Sequence, residues 1–163
     1  MHHATPAHAA ALKTLIESAY RGDCARAGWS HEADLLSDER ITMGELGAML
    51  TAPHQRILIA TDNAKIQGCV AITKLAPTRA YLGLLCTAPD LQNNGLGRQL
   101  LAAAETAART EFSAAMIEMT VISLRSELIA YYQRRGYTLT DETRPFPVPN
   151  TGLTMVVLEK LLS

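Results

Sequence analysis

The chain has 163 residues, 48% of them hydrophobic and 19% charged, with 15 Lys plus Arg against 16 Asp plus Glu. That length suits one domain, 1–163, whose folding hides roughly two-thirds of the unfolded chain's surface. A net charge of −1 excludes the basic footprint of a nonspecific nucleic-acid binder, and high hydrophobicity excludes disorder over most of the length.

Thr5-Pro6 reads as an N-cap followed by proline at the first helical position, and Leu12, Leu15, Ile16, Ala19 and Tyr20 recur at helical spacing. A first amphipathic helix is therefore predicted from about Pro6 to Tyr20. The stretch from Arg21 to Arg40 is mixed and polar, with room for a short helix. Thr42-Met43-Gly44-Glu45 reads as a capping box, with Ile41 and Leu46 placed as its hydrophobic staple. The helix it opens turns Leu46, Met49 and Leu50 inward and must end before Pro53.

Arg56 to Asp62 and Ile66 to Leu75 are apolar runs joined by Asp62-Asn63-Ala64-Lys65, a hairpin signal. Tyr81 to Thr87 is a short apolar strand, expected to be covered on both faces. A third helix is predicted after Gly97, lined by Leu96, Leu100, Leu101, Ala103, Ala104, Ala107 and Ala108 and ending near Phe112. Ala115 to Ile122 reads as a strand. Leu124, Leu128, Tyr131 and Tyr132 mark a fourth helix, stopped by Gly136. Tyr137 to Thr143 and Leu153 to Lys160 are the final strands, joined by the proline-rich loop Arg144 to Pro149. This order predicts an α+β fold, with helices layered on a mixed sheet.

The cysteines Cys24, Cys69 and Cys86 are odd in number and not closely paired, which favours reduced thiols and a cytoplasmic location. The five histidines show no metal-ligand spacing, so no metal is expected. No apolar run approaches the ~20 residues that a membrane span needs. The stretch Met1 to Pro6 does not read as a signal peptide.

The chemistry concentrates where a buried strand runs into Gln92-Asn93-Asn94-Gly95-Leu96-Gly97 and then a helix. Glycines let backbone approach a ligand, and a helix start offers unpaired N–H groups, together an anion site suited to a phosphate. The alternative is a tight turn that holds nothing. The P-loop pattern is absent, Leu100 stands where a dinucleotide fingerprint needs its third glycine, and no Gly-x-Ser-x-Gly occurs.

The run Leu85-Cys86-Thr87-Ala88-Pro89-Asp90-Leu91-Gln92-Asn93-Asn94-Gly95-Leu96-Gly97-Arg98 resembles the signature of the GNAT family of N-acetyltransferases. Tyr131-Tyr132-Gln133-Arg134-Arg135-Gly136-Tyr137 resembles that family's second motif, and the order of elements matches along essentially the whole chain. The resemblance implies a mostly antiparallel sheet splayed between the strands Tyr81–Thr87 and Ala115–Ile122. It implies acetyl-coenzyme A as donor, an amine of a small molecule or protein as acceptor, and a homodimer as a fair expectation. Amides from Gln92 through Asn93, Asn94, Gly95, Leu96 and Gly97 to Arg98 would hold the pyrophosphate. The edge Leu85, Cys86 and Thr87 would pair with the pantetheine arm, with the Leu85 N–H polarising the thioester.

In the same resemblance Tyr132 protonates the departing thiolate; the alternative is a core tyrosine. Gly83 stands where some members carry a glutamate base, which leaves a water relay or Glu118, Glu32 or His31 as candidates. Arg125 replaces a common asparagine, and Arg98, Arg125 and Arg135 are each open to a phosphate contact or a plain surface role. Trp29, Glu32 and Phe146 are the candidates for acceptor recognition. The rival class is a module that binds the coenzyme without turning it over.

Overall fold

The computed structural model describes residues 1–20, 40–91, 94–147 and 150–163. Seven strands form one sheet: β1 (His2–His3), β2 (Gln55–Asp62), β3 (Lys65–Ala76), β4 (Arg79–Thr87), β5 (Met116–Ile122), β6 (Thr138–Pro145) and β7 (Thr154–Leu161), in the order β1-β2-β3-β4-β5-β7-β6. β4 and β5 run parallel, and every other neighbouring pair is antiparallel. The helices are α1 (Ala9–Tyr20), α2 (Met43–Thr51), α3 (Leu96–Phe112) and α4 (Ser126–Gln133). The mixed, mostly antiparallel sheet flanked by helices agrees with the predicted α+β fold.

Alternation along the strands builds two cores. Ile57 and Ile59 of β2, with Cys69 and Ala71 of β3, pack against α1 and α2. Their neighbours Leu58, Ala60, Val70 and Ile72 face α3, where Leu100, Ala104 and Ala108 are fully buried. Small alanines on that face let the helix lie close to the sheet. Period-two side-chain direction thus gives β2 and β3 two covered faces.

Local signals explain most boundaries. Thr42 Oγ1 accepts the Glu45 N–H at 3.1 Å and the Glu45 carboxylate accepts the Thr42 N–H at 2.7 Å, closing the capping box. The Thr42 N–H holds the Glu45 carboxyl below the usual carboxylate range. A carboxyl lowered on folding stabilises fully above its unfolded pKa, and that contribution fades as pH falls through the folded value. Glu45→Gln should therefore leave a stability profile that is flatter between neutral and acidic pH, read by chemical denaturation at several pH values.

The β2–β3 hairpin turns through Asn63 (φ 49°) and Ala64 (φ 64°), both left-handed. Such two-residue turns favour Asn-Gly, and an alanine there is strained by about 1 kcal/mol. Ala64→Gly should raise stability by roughly 0.5 kcal/mol after the extra freedom of glycine in the unfolded chain is subtracted. Equal or lower denaturation midpoints would contradict this.

Three sequence readings shift, and one strand is new. The first helix opens with a 3₁₀ turn, Pro6–His8, before α1 begins. Leu124 precedes α4 and is exposed, not part of its apolar face. β6 continues into Pro145, although its polar sequence leaves it largely exposed. β1 is two histidines that pair with β2, with His3 also meeting the Glu111 carboxylate at 2.9 Å, and nothing in the sequence marks it.

Candidate active site

β4 carries one residue more than its partner at the centre of the sheet. Cys69 lies opposite Cys86 but Ala71 lies opposite Gly83, so Leu84 and Leu85 together face Val70. Leu84 takes a left-handed φ of 51° at this bulge. The extra residue flips the strand: Ala80 and Leu82 face α3, whereas Leu84 and Cys86 face α1 and α2. Pairing with β5 covers only Arg79, Ala80 and Tyr81, opposite Met116, Ile117 and Glu118. Beyond Tyr81 the two strands part.

The closed end of that wedge is clasped by charge. Glu118 is buried, and its carboxylate takes Arg79 at 2.6 Å on one oxygen and Arg144 at 3.0 Å on the other. Tyr81 and Thr120 join their hydroxyls at 2.7 Å across the start of the gap. The open end presents one edge of β4. The Ala88 N–H bonds the Gln67 carbonyl, so alternation points Cys86 toward β3 and the polar backbone of Leu85 and Thr87 into the gap. Tyr20, from the end of α1, reaches that edge and donates its hydroxyl to the Leu85 carbonyl at 2.5 Å.

On one side of the gap lies a cleft of about 780 Å³, walled by β4, the start of α3 and helix α4. Gly95 caps α3 in a left-handed conformation (φ 88°), which costs glycine nothing. A Cβ on Gly97 would come within 3.3 Å of the Tyr131 hydroxyl, so the second glycine makes room for the opposite wall. Asn94 Oδ1 accepts the Leu96 N–H at 3.2 Å, while Gly97 and Arg98 line the cleft at the positive end of the α3 dipole. On the other side lies a cleft of about 700 Å³, bounded by Tyr81 to Leu85, Met119 to Ile122, Arg40, Arg125 and Phe146.

Tyr132, Tyr20, Leu85 and Leu128 line both clefts. The Tyr132 ring meets Tyr131 and Tyr137 edge-on, at centroid distances of 5.3 and 5.9 Å. Tyr137 is tied in turn: its hydroxyl donates to Glu105 at 3.0 Å, and Lys160 pairs with the same carboxylate at 2.9 Å. The left-handed Gly136 (φ 92°) ends the helix so that Tyr137 can fold back beneath Tyr132. Burial pushes the Tyr132 phenol well above the ordinary tyrosine value, Tyr131 adding to the shift and Arg135 and Arg125 opposing it. Such a phenol keeps its proton at neutral pH.

The sequence from residue 28 to residue 160 matches the acetyltransferase (GNAT) domain family. The chain belongs to the GNAT acetyltransferase family. Its fold is shared with solved structures at low sequence identity. An N-acetyltransferase from Staphylococcus aureus Mu50 aligns with a TM-score of 0.79 at 11% identity, over 99% of this chain and 96% of the other. A GNAT-family acetyltransferase from Streptococcus pneumoniae aligns at 0.72 and 23%, over 99% and 98%. YncA of Salmonella typhimurium, solved with its cofactor acetyl-CoA, aligns at 0.74 and 17%, over 99% and 92%. A search of curated proteins finds no significant match.

Within this GNAT domain the structure brings Leu85, Cys86, Thr87, Asn94, Gly95, Gly97, Arg98 and Tyr132 around one cleft. Leu96 instead packs its side chain against the core. Gln92, Asn93, Trp29, His31 and Glu32 lie outside the described residues. Phe146 lies on the second cleft, as does Arg125, and Arg135 on the first. Glu118, a candidate base in the sequence, has both oxygens committed to arginines at the clasp and holds strands together. Tyr131, which the sequence marks only as a residue of the fourth helix, forms cleft wall and carries the Arg135 guanidinium over its ring at 3.5 Å. Tyr20 was legible only as one more apolar-face residue of the first helix; its role at the gap depends on where α1 ends. Among the described residues no cluster of metal-ligating side chains occurs, and no helix is long and apolar enough to cross a membrane.

Proposed function

We propose that this acetyltransferase is an N-acetyltransferase, which moves the acetyl group of acetyl-CoA to a primary amine of a small molecule or peptide in a ternary complex. The observation that carries the proposal is the position of Tyr132, at the junction of two clefts that approach one gap from opposite sides. The coenzyme suits the first cleft. Its wall has a glycine-capped helix start for a pyrophosphate and, beyond Tyr81, a strand edge that no strand pairs with, for the amide-bearing pantetheine arm. The residues assigned to it are Leu85, Cys86, Thr87, Gln92, Asn93, Asn94, Gly95, Leu96, Gly97 and Arg98, with side chain and backbone sharing the work.

The acceptor enters from the second cleft and attacks the thioester carbonyl. The Leu85 N–H, on the unpaired edge, stabilises the charge that develops on the carbonyl oxygen. Tyr132 gives the leaving sulfur its proton. Most of the rate comes from holding amine and thioester together in line. With Glu118 held by two arginines, the proton lost by the amine passes to water. Acceptor selection falls to the second cleft, including Phe146, and to Trp29 and Glu32.

Two measurements test this reading. Acetyl-CoA at a hundred times its Kd should stabilise the protein by about 2.7 kcal/mol, seen as a rise of several degrees in Tm. Release of free thiol should then depend on the amine offered, across a panel of amines, amino acids and peptides. Stabilisation without thiol release from any acceptor would favour a coenzyme-binding module. No stabilisation at millimolar acetyl-CoA would remove the basis of the proposal.

A further inference from the structure

Two thiols that the proposed chemistry does not use face each other beside the gap. Cys69 on β3 and Cys86 on β4 are opposite one another, and their sulfurs stand 3.6 Å apart. Both are free thiols and both are buried, Cys69 fully. Only Cys86 lines the cleft. The Ala88–Gln67 bond makes the register here that of a hydrogen-bonded pair, in which α-carbons stand about 5.5 Å apart. That separation lies inside the range a disulfide tolerates. The Cys69 thiol donates to the carbonyl of Leu84, the left-handed bulge residue, at 3.4 Å.

We infer that Cys69 and Cys86 are a redox-modification site, a dithiol that a small hydroperoxide converts into a cross-strand disulfide. Cys86, reached through the cleft, reacts first. Its deprotonated sulfur attacks the hydroperoxide, an S–O bond forms, the O–O bond breaks, and the released oxygen leaves as an alcohol or water with the proton Cys86 gave up. The Cys69 sulfur then attacks Cys86, the S–S bond forms, the S–O bond breaks, and water departs with the Cys69 proton. The dithiol loses two electrons and two protons; the hydroperoxide gains them.

The partner at 3.6 Å is what separates this site from an ordinary exposed thiol. A sulfenic acid with a neighbouring thiol condenses before it is oxidised further. Hydrogen bonding to Cys86, together with burial, holds the Cys69 thiol well above its ordinary value, so it waits as the protonated, resolving member. Closing the pair moves the sulfurs from 3.6 Å to about 2.05 Å and removes the donor that the Leu84 carbonyl has in the reduced state. Both changes fall on the bulge that presents Leu85 to the gap. The consequence for acetyl-CoA rests on the proposed function, whereas formation of the disulfide does not.

The test uses the full chain with Cys24→Ser, which removes the third cysteine. Protein treated with hydrogen peroxide is denatured, alkylated and mapped by mass spectrometry without reductant. The expected product is a linked pair of peptides containing Cys69 and Cys86, lighter by two hydrogens and released by dithiothreitol. Free, alkylated cysteines, or a Cys86 sulfinic acid beside an unmodified Cys69, would overturn the inference. Cys69→Ala should instead take up oxygen at Cys86 and form no link. In the linked protein kcat/KM for acetyl-CoA should fall ten- to a hundredfold, as misplacement by about 1 Å commonly brings, and recover on reduction. Linked protein of unchanged activity would overturn the regulatory consequence. A link formed in a protein that acetyl-CoA never stabilises would leave the dithiol standing and remove the function proposed above.

Discussion

Replacing Tyr132 with phenylalanine is expected to lower kcat about a hundredfold while leaving the KM for acetyl-CoA within about twofold, the pattern of a lost proton donor. The ring is held edge-on between Tyr131 and Tyr137, and phenylalanine keeps both contacts. The fold should therefore be unaffected, with a circular dichroism spectrum and Tm like those of the parent. The phenol's raised pKa adds a second expectation. An acid works while protonated, so a higher pKa extends its working range upward. The alkaline limb of the kcat profile should show no loss assignable to Tyr132 below its ordinary pKa of about 10. Parent-like rates for Tyr132→Phe at every pH would show that the tyrosine only packs.

Gly68→Ala is expected to cost about 2 kcal/mol of stability, which is roughly a 6 °C fall in Tm for a chain of this size. Gly68 lies on β3 opposite Thr87, beneath the start of α3. A Cβ there would sit 2.7 Å from Leu100 Cδ1 and 2.9 Å from the Cys86 carbonyl oxygen. The leucine methyl can rotate away, but the carbonyl belongs to the β3–β4 ladder and yields only if the strands separate. The same displacement moves β4 and the first turn of α3 apart from each other, so the KM for acetyl-CoA should rise several-fold. Unchanged melting would mean that the sheet relaxes there at little cost.

What the sequence revealed depended on how local the cause was. The capping box at Thr42 and Glu45 needs four consecutive residues, and it formed as read. The alanine-rich face of α3 repeats with helical period over 17 residues, enough to fix which side is buried. The parting of β4 from β5 came through family resemblance, because no residue announces the bulge. Leu84 is an ordinary leucine in an apolar run, and its left-handed backbone is imposed by register with β3 and by the two cores on either side. Glu118 shows the same limit for the site. A carboxylate on the strand beside the gap reads as a base until Arg79 and Arg144, distant in sequence, are seen to occupy it. Tyr20, Tyr131 and Gly68 escaped for the same reason, since each takes its meaning from a neighbour on another element.

The clasp at Glu118 makes the sheet behave as a spring peg. Arg79, Glu118 and Arg144 form its pivot, the Tyr81–Thr120 bond sits just in front, and the free lengths of β4 and β5 are its jaws. The pivot is fixed twice over, by the ladder that sets Tyr81 opposite Glu118 and by the two ion pairs, so the jaws can part only beyond it. Strain from anything wedged between them is carried back into the paired strands instead of spreading through the sheet.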